Sequence, residues 1–220
     1  MPRVTVHLLR HGEVYNPSGV LYGRLPEFHL SERGRAMAVM VAEHLKKRAD
    51  DGAKLVYLVA SPLTRAQETA EPTAAALGLE ICTDPRIIEA ENHFEGLAVT
   101  RGEMLRPRHW PYLRNPLQPS WGEPYKRQAA RVIEAVREAR VRALELGGDG
   151  AEAVLVSHQL PIWVTRRSAE GKRLWHDPRH RECTLASLTS LVFDGEEVVD
   201  IRYSEPAAEL LPGASTTPGA

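Results

Sequence analysis

Two periods of apolar spacing alternate along this chain. Short runs rich in aliphatic and β-branched residues at 4–9, 54–60, 80–83, 153–157, 185–193 and 198–203 predict strands. Between the early runs the spacing lengthens to a helical period. Ser31 is placed to cap a helix running to about residue 49, with Met37, Val41 and Leu45 forming its apolar stripe. A second helix is expected after Ser61, with that serine as cap and Pro62 at the first helical position. A third is expected from about 124 to 146, stopped by Gly147 and Gly148. Strand and helix in alternation imply a mainly parallel sheet covered on both faces, a three-layer α/β/α sandwich. Asp194-Gly195 between the last two runs is a hairpin signal, so an antiparallel edge is expected late in the chain.

Two stretches break the pattern. Residues 97–123 carry Pro107, Pro111, Pro116 and Pro119 together with Trp110, Tyr112 and Trp121, a composition that suits an irregular excursion across a site. Residues 205–220, dominated by Pro, Gly, Ser, Thr and Ala, read as a flexible tail. The expected organisation is therefore one domain over 1–204, interrupted by a lid-like excursion.

Composition narrows the classes of function. The 220 residues are 43% hydrophobic and 26% charged, with a formal net charge of −1. That balance is ordinary for a globular protein and offers no bulk attraction to nucleic acid or to an anionic membrane. No window approaches the roughly 18 apolar residues of a bilayer span, and the first apolar run stops at Leu9, short for a secretory leader. Cys82 and Cys183 lie in apolar or strand-like contexts where buried free thiols are expected, consistent with a reducing cytoplasm. Nothing selects an oligomeric state.

Chemistry concentrates at three strand ends. The first run ends on Arg10-His11-Gly12, the second on Ser61-Pro62-Leu63-Thr64-Arg65, and the run at 153–157 on His158-Gln159. Ligands bind at the carboxyl edge of a parallel sheet, so Arg10, His11, Arg65 and His158 can converge there. A guanidinium offers a planar fork to phosphate oxygens, and an imidazole can attack or carry a proton near neutral pH. Arg65 in a first helical turn adds the positive end of a helix dipole. Taken singly, each has a plainer reading: Arg-His-Gly as loop punctuation, Arg65 as a surface charge, His158 as a core histidine. Their coincidence at matching strand ends favours a phosphate cradle.

Four blocks in order, Arg10-His11-Gly12-Glu13, Ser61 through Ala70 (SPLTRAQETA), Ile88-Glu89-Ala90 to Glu95-Gly96, and Ser157-His158, resemble the signature of the histidine phosphatase superfamily, the phosphoglycerate mutase-like family. The resemblance spans about residues 4–203. It implies a phosphoglycerate mutase-like fold and a phosphatase of small phosphomonoesters that needs no cofactor or metal. His11 would be the nucleophile forming a phosphohistidine; Arg10, Arg65 and His158 would hold the phosphoryl group, with Asn16 as a further contact; Glu89 would be the proton donor. Phosphoryl transfer depends mainly on positioning and electrostatic stabilisation, which two guanidiniums and an imidazole supply. Attack requires a neutral His11, and a charged His158 would stabilise the phosphoryl oxygens best. The alternatives are a mutase that returns the phosphoryl group to another hydroxyl and a phospho-ligand binding module without turnover.

The chain departs from the family pattern in places. Asn16 falls one residue earlier than in the mutases, no aspartate follows Gly23, and the segment from Glu89 to Gly96 is about one residue short, with His93 where small residues are common. Glu91 therefore competes with Glu89 for the acid. Arg101, Arg106, Arg108 and Arg114 in the excursion would supply a substrate lid or form a solvated face; Arg106, Arg108 and Glu123 are the lid residues taken forward. His176 and His180 are spaced for a metal pair only on a helix, which Pro178 opposes, and no other metal or nucleotide-loop motif is present.

Overall fold

The computed structural model describes residues 1–98, 100–115 and 121–215. β1 (Arg3–Arg10), β2 (Lys54–Ala60), β3 (Ile81–Thr83), β4 (Ala151–Ser157), β5 (Leu188–Asp194) and β6 (Glu197–Ser204) form one sheet in the order β3-β2-β4-β1-β5-β6. The four strands from β3 to β1 run parallel, and β5 and β6 add an antiparallel pair at the edge. The mainly parallel three-layer architecture and its late antiparallel edge follow the hydrophobic pattern.

Alternation along the strands sorts side chains onto two faces. Val6 and Leu8 of β1 and Ala153 and Leu155 of β4 pack with Val132, Val136 and Ala139 of α5 (Tyr125–Gly147) and Ile162 of α6 (Gln159–Ala169). On the other face Leu9, Leu58, Val154 and Val156 meet Met37, Val41 and Leu45 of α1 (Glu32–Asp50) and Ala66 and Ala70 of α2 (Thr64–Leu77). Leu155 is fully buried, so truncating it to alanine should cost about 2–5 kcal/mol. Two four-residue helices, α3 (Arg101–Met104) and α4 (Trp110–Leu113), lie in the excursion.

The Ser31 cap forms as expected, its hydroxyl accepting the Gly34 N–H at 3.0 Å. Other local expectations shift. α2 starts at Thr64 with Leu63 as its N-cap, because the Ser61 hydroxyl is buried against His158 instead. β5 begins at Leu188; Ala186 takes a positive φ of 55° in the loop before it. α6 has no counterpart in the hydrophobic pattern, since Pro161 and the β-branched Ile162, Val164 and Thr165 obscure a helical period that burial of Ile162 and Val164 enforces. The tail is packed over residues 205–215: Ala207 is buried, and Leu210, Leu211 and Ala214 lie against the α1/α2 core. A few apolar side chains anchor a composition that looked flexible, and residues 216–220 lie outside the described residues.

Candidate active site at the ends of β1, β2 and β4

Register brings the predicted residues together. Arg10 pairs with Ser157 across the parallel β1/β4 ladder and Ala60 with Val156 across β2/β4, so His11, Ser61 and His158 leave the sheet at one level. Gly12 then has to pass close to α1: a Cβ there would sit 2.5 Å from the Gly34 carbonyl oxygen. Its need is space, since its φ is not positive. The Gly12 N–H donates to Thr69 Oγ1 at 3.1 Å, tying the loop to α2.

The His11 and His158 rings lie 5.2 Å apart, both with no exposed surface. His11 Nδ1 lies 2.8 Å from the Gly12 carbonyl, so it carries the proton and leaves Nε2 with its lone pair free. Nε2 is buried without a hydrogen-bond partner in the protein. Burial first, and then the charges of Arg65 and Arg10, hold the His11 imidazole well below its ordinary range. It is therefore neutral. His158 Nε2 meets the Ser61 hydroxyl at 2.8 Å, and its Nδ1 is buried and unpartnered. Burial, Arg65 and the neighbouring His11 depress His158 too, so the unliganded site holds a neutral imidazole rather than the charged one expected.

Arg65 is almost wholly buried, its guanidinium 4.7 Å from the centre of the Tyr22 ring and donating to the Gly23 carbonyl. Arg10 donates to the Cys183 carbonyl at 2.6 Å. Neither has a carboxylate within ion-pairing distance among the described residues, and the Nε of each is buried without a partner. Glu89 completes the cluster. Its Oε1 accepts the Ala90 N–H at 2.8 Å, while burial raises its pKa against the opposing pull of that bond and of Arg65, Arg181 and Arg10. Burial favours the protonated form of this carboxyl, the form that can donate a proton.

Glu91 is different: its side chain is 67% exposed and paired with Arg24. Exposure weighs against it as an acid held in reserve.

The remaining predicted residues are not gathered here by any contact. Asn16 turns onto its own loop, donating to the Val20 carbonyl and accepting the Val20 N–H. Arg106 and Arg108 are exposed and pair with Glu103 of the same segment. Glu123 is buried, but as a strut: its two oxygens accept from Arg131, one also from Arg24, and Arg24 and Arg131 in turn donate to the Glu89 carbonyl. The contacts of the Glu123 carboxylate thus run to Arg24 and Arg131 inside the protein, and none reaches the excursion expected as a lid among the described residues. Of the two cysteines, both free, Cys183 is buried as expected whereas Cys82, on the edge strand β3, is exposed.

The excursion is tied to the acidic loop. Asn92 bridges to Gly122, His93 lies 3.2 Å from the buried His109, and the His93 ring stacks on Tyr112. Sequence reasoning missed Tyr22, Ser61 as the partner of His158, Arg131 and Arg181. The nearest signal was position: Ser61 ends a strand, as His11 and His158 do.

The match to known proteins agrees with this geometry. Residues 6–205 fit the profile of the histidine phosphatase superfamily (branch 1). The chain belongs to that superfamily. It is 56% identical over 211 residues to the uncharacterized protein Rv0525 of Mycobacterium tuberculosis, covering 94% of this chain and all of that protein. Phosphoserine phosphatase 1 of Hydrogenobacter thermophilus is 31% identical over 164 residues, 72% of each chain. Among solved structures, mycobacterial glucosyl-3-phosphoglycerate phosphatase Rv2419c superposes with a TM-score of 0.70 at 27% identity, over 92% of this chain and 96% of that one. Among the described residues no helix is long and apolar enough to cross a membrane.

Proposed function

We propose that this superfamily member is a phosphatase that hydrolyses a small phosphomonoester through a phosphohistidine on His11. The observation that carries the reading is the His11 Nε2 lone pair, buried, unprotonated and unpartnered, beside two guanidiniums that have no counter-carboxylate among the described residues.

In the first step Nε2 attacks phosphorus, the N–P bond forms and the ester P–O bond breaks. The proton held on Glu89 goes to the leaving oxygen. Arg10 and Arg65 stabilise the charge on the transferring oxygens, and His158 donates from Nδ1 in the tautomer that Ser61 selects by giving its hydroxyl proton to Nε2. In the second step the Glu89 carboxylate takes a proton from water, whose oxygen attacks phosphorus. The N–P bond breaks, phosphate leaves and His11 is restored. On this account the charge comes from side chains, and no metal or cofactor is required.

The test is a panel of phosphomonoesters combined with trapping of acid-labile phosphoenzyme, comparing wild type with His11→Ala. Wild type should release phosphate and label; the variant should do neither. Absence of both across the panel for wild type overturns the reading, and isomerised product without net phosphate marks a mutase instead.

A further inference from the structure

Tyr22 is a buried aromatic, 3% exposed, with no part in the proposed steps. A core aromatic needs none, but this ring lies against two groups of the site. The central carbon of the Arg65 guanidinium sits 4.7 Å over its centre, and the His11 ring lies 6.4 Å away, edge to face. The next residue holds the same guanidinium a second way, the Gly23 carbonyl accepting from Arg65 Nη2.

Ring and carbonyl divide the guanidinium between them. The ring takes one flat face, and stacking consumes no N–H. The carbonyl takes one donor, and Arg65 Nε is buried without a partner, so donors remain in the plane for phosphate oxygens. One hydrogen bond fixes a single nitrogen and leaves the plane free to swing; a ring face fixes the plane. Both holds are also neutral. Burial pushes the Tyr22 phenol up to about 12, so it brings no negative charge to Arg65. A carboxylate in its place would cancel the charge that an anion site needs.

Tyr22 is itself held. Its ring stacks with Phe28, 5.2 Å between centroids and 30° between planes. Leu21 before it is fixed in both directions: its N–H donates to the Leu97 carbonyl at 2.9 Å, and its carbonyl accepts the Gly96 N–H at 2.8 Å. Gly23 after it takes a positive φ of 36°, and a Cβ there would fall 2.2 Å from Glu95 Oε1. The loop that carries Tyr22 is therefore tied to the end of the acidic loop, and the ring cannot drift from Arg65 without breaking those contacts.

We propose that Tyr22 is the positioning residue of Arg65, its ring face fixing the plane of the guanidinium so that the unspent N–H donors meet the phosphoryl oxygens. The ring does this work and the hydroxyl does not. The inference rests on reading Arg65 as a holder of the phosphoryl group, and its test does not depend on turnover.

Binding of inorganic phosphate to the full chain is measured by calorimetry. Tyr22→Phe keeps the ring face and should bind within about threefold of wild type. Tyr22→Leu should lose about tenfold, the scale of a desolvated cation–π contact. Tyr22→pentafluorophenylalanine keeps the shape of the ring and reverses the charge of its face, so it should bind at least about fivefold more weakly than Tyr22→Phe; it serves if the leucine variant does not fold. On an Arg65→Met background the leucine or pentafluoro change should cost less than about twofold, because no guanidinium is left to orient. A purely structural role for Tyr22 gives the same loss on both backgrounds. That result, equal binding by the phenylalanine and pentafluorophenylalanine variants, or a phenylalanine variant as weak as the leucine one overturns the proposal. If no phosphomonoester is hydrolysed yet phosphate binding follows the expected pattern, the hydrolase reading falls and this one stands. Failure of wild type to bind phosphate overturns this one, and turnover of the ester panel would still support the hydrolase.

Discussion

Two groups of arginines, a few residues apart in space, are used in opposite ways. Arg10, Arg65 and Arg181 donate to neutral acceptors: backbone carbonyls, an amide oxygen and an imidazole nitrogen. Arg24 and Arg131 share the Glu123 carboxylate and brace the Glu89 carbonyl, and Arg86 is surrounded by Asp84, Glu134 and Glu138. The second group is electrically satisfied and structural. The first carries uncompensated charge into a buried place, which costs stability and, on the proposed function, is offset when an anion arrives. The difference teaches that a guanidinium's role is set by the charge of its fixed partners and not by its burial.

Breaking the two groups in turn should separate activity from stability. The largest effect is expected from Arg65→Met, which should lower kcat/KM by about 10²–10³-fold, as loss of one transition-state donor does, while the melting temperature stays level or rises. A large fall in melting temperature would place Arg65 with the struts. Glu89→Gln should cost about 10²-fold in kcat with little change in binding. The pH profile carries the sign. On the proposed mechanism Glu89 acts protonated, and burial raises its pKa, so wild-type kcat/KM should fall as pH rises through that raised value; His11 acts neutral with a lowered pKa, so it should fall again as pH drops through that value. Glu89→Gln should abolish the alkaline limb, and Glu91→Gln should leave it in place; the reverse would give the acid role to Glu91.

Arg131→Met should behave oppositely to Arg65→Met. Leaving the buried Glu123 with only Arg24 should cost roughly 1–3 kcal/mol by denaturant unfolding and slow turnover through a loosened Glu89. The smallest effect is expected from Arg106→Ala with Arg108→Ala. Both are exposed partners of Glu103, so stability should move within about 0.5 kcal/mol and kcat/KM within about threefold. A loss of tenfold or more would restore these arginines to a lid.

Legibility followed range. The six strands, the helix capped by Ser31 and the convergence of Arg10, His11, Arg65 and His158 are readable because strand period, caps and strand-end position are local properties, and a parallel ladder carries them to one edge. Ser61 was misjudged as a helix cap because a hydroxyl at that position suits either use, and only the arrival of His158 from 97 residues away decides it. Glu123 looked like part of a lid because it follows the excursion, yet Arg24, 99 residues away, claims it. His176 was weighed only as a metal ligand; its work is to hold Arg181.

By itself the sequence determined the layered α/β architecture, the histidine placed at the end of its first strand and the superfamily to which the chain belongs. Tertiary structure alone decided which charged residues keep their charge unspent. Every arginine here presents the same fork to its neighbours in the chain, and whether a carboxylate or a neutral oxygen meets it depends on contacts between segments that only folding brings together. Arg10, Arg65 and Arg181 met neutral partners, and the pocket is cationic for that reason.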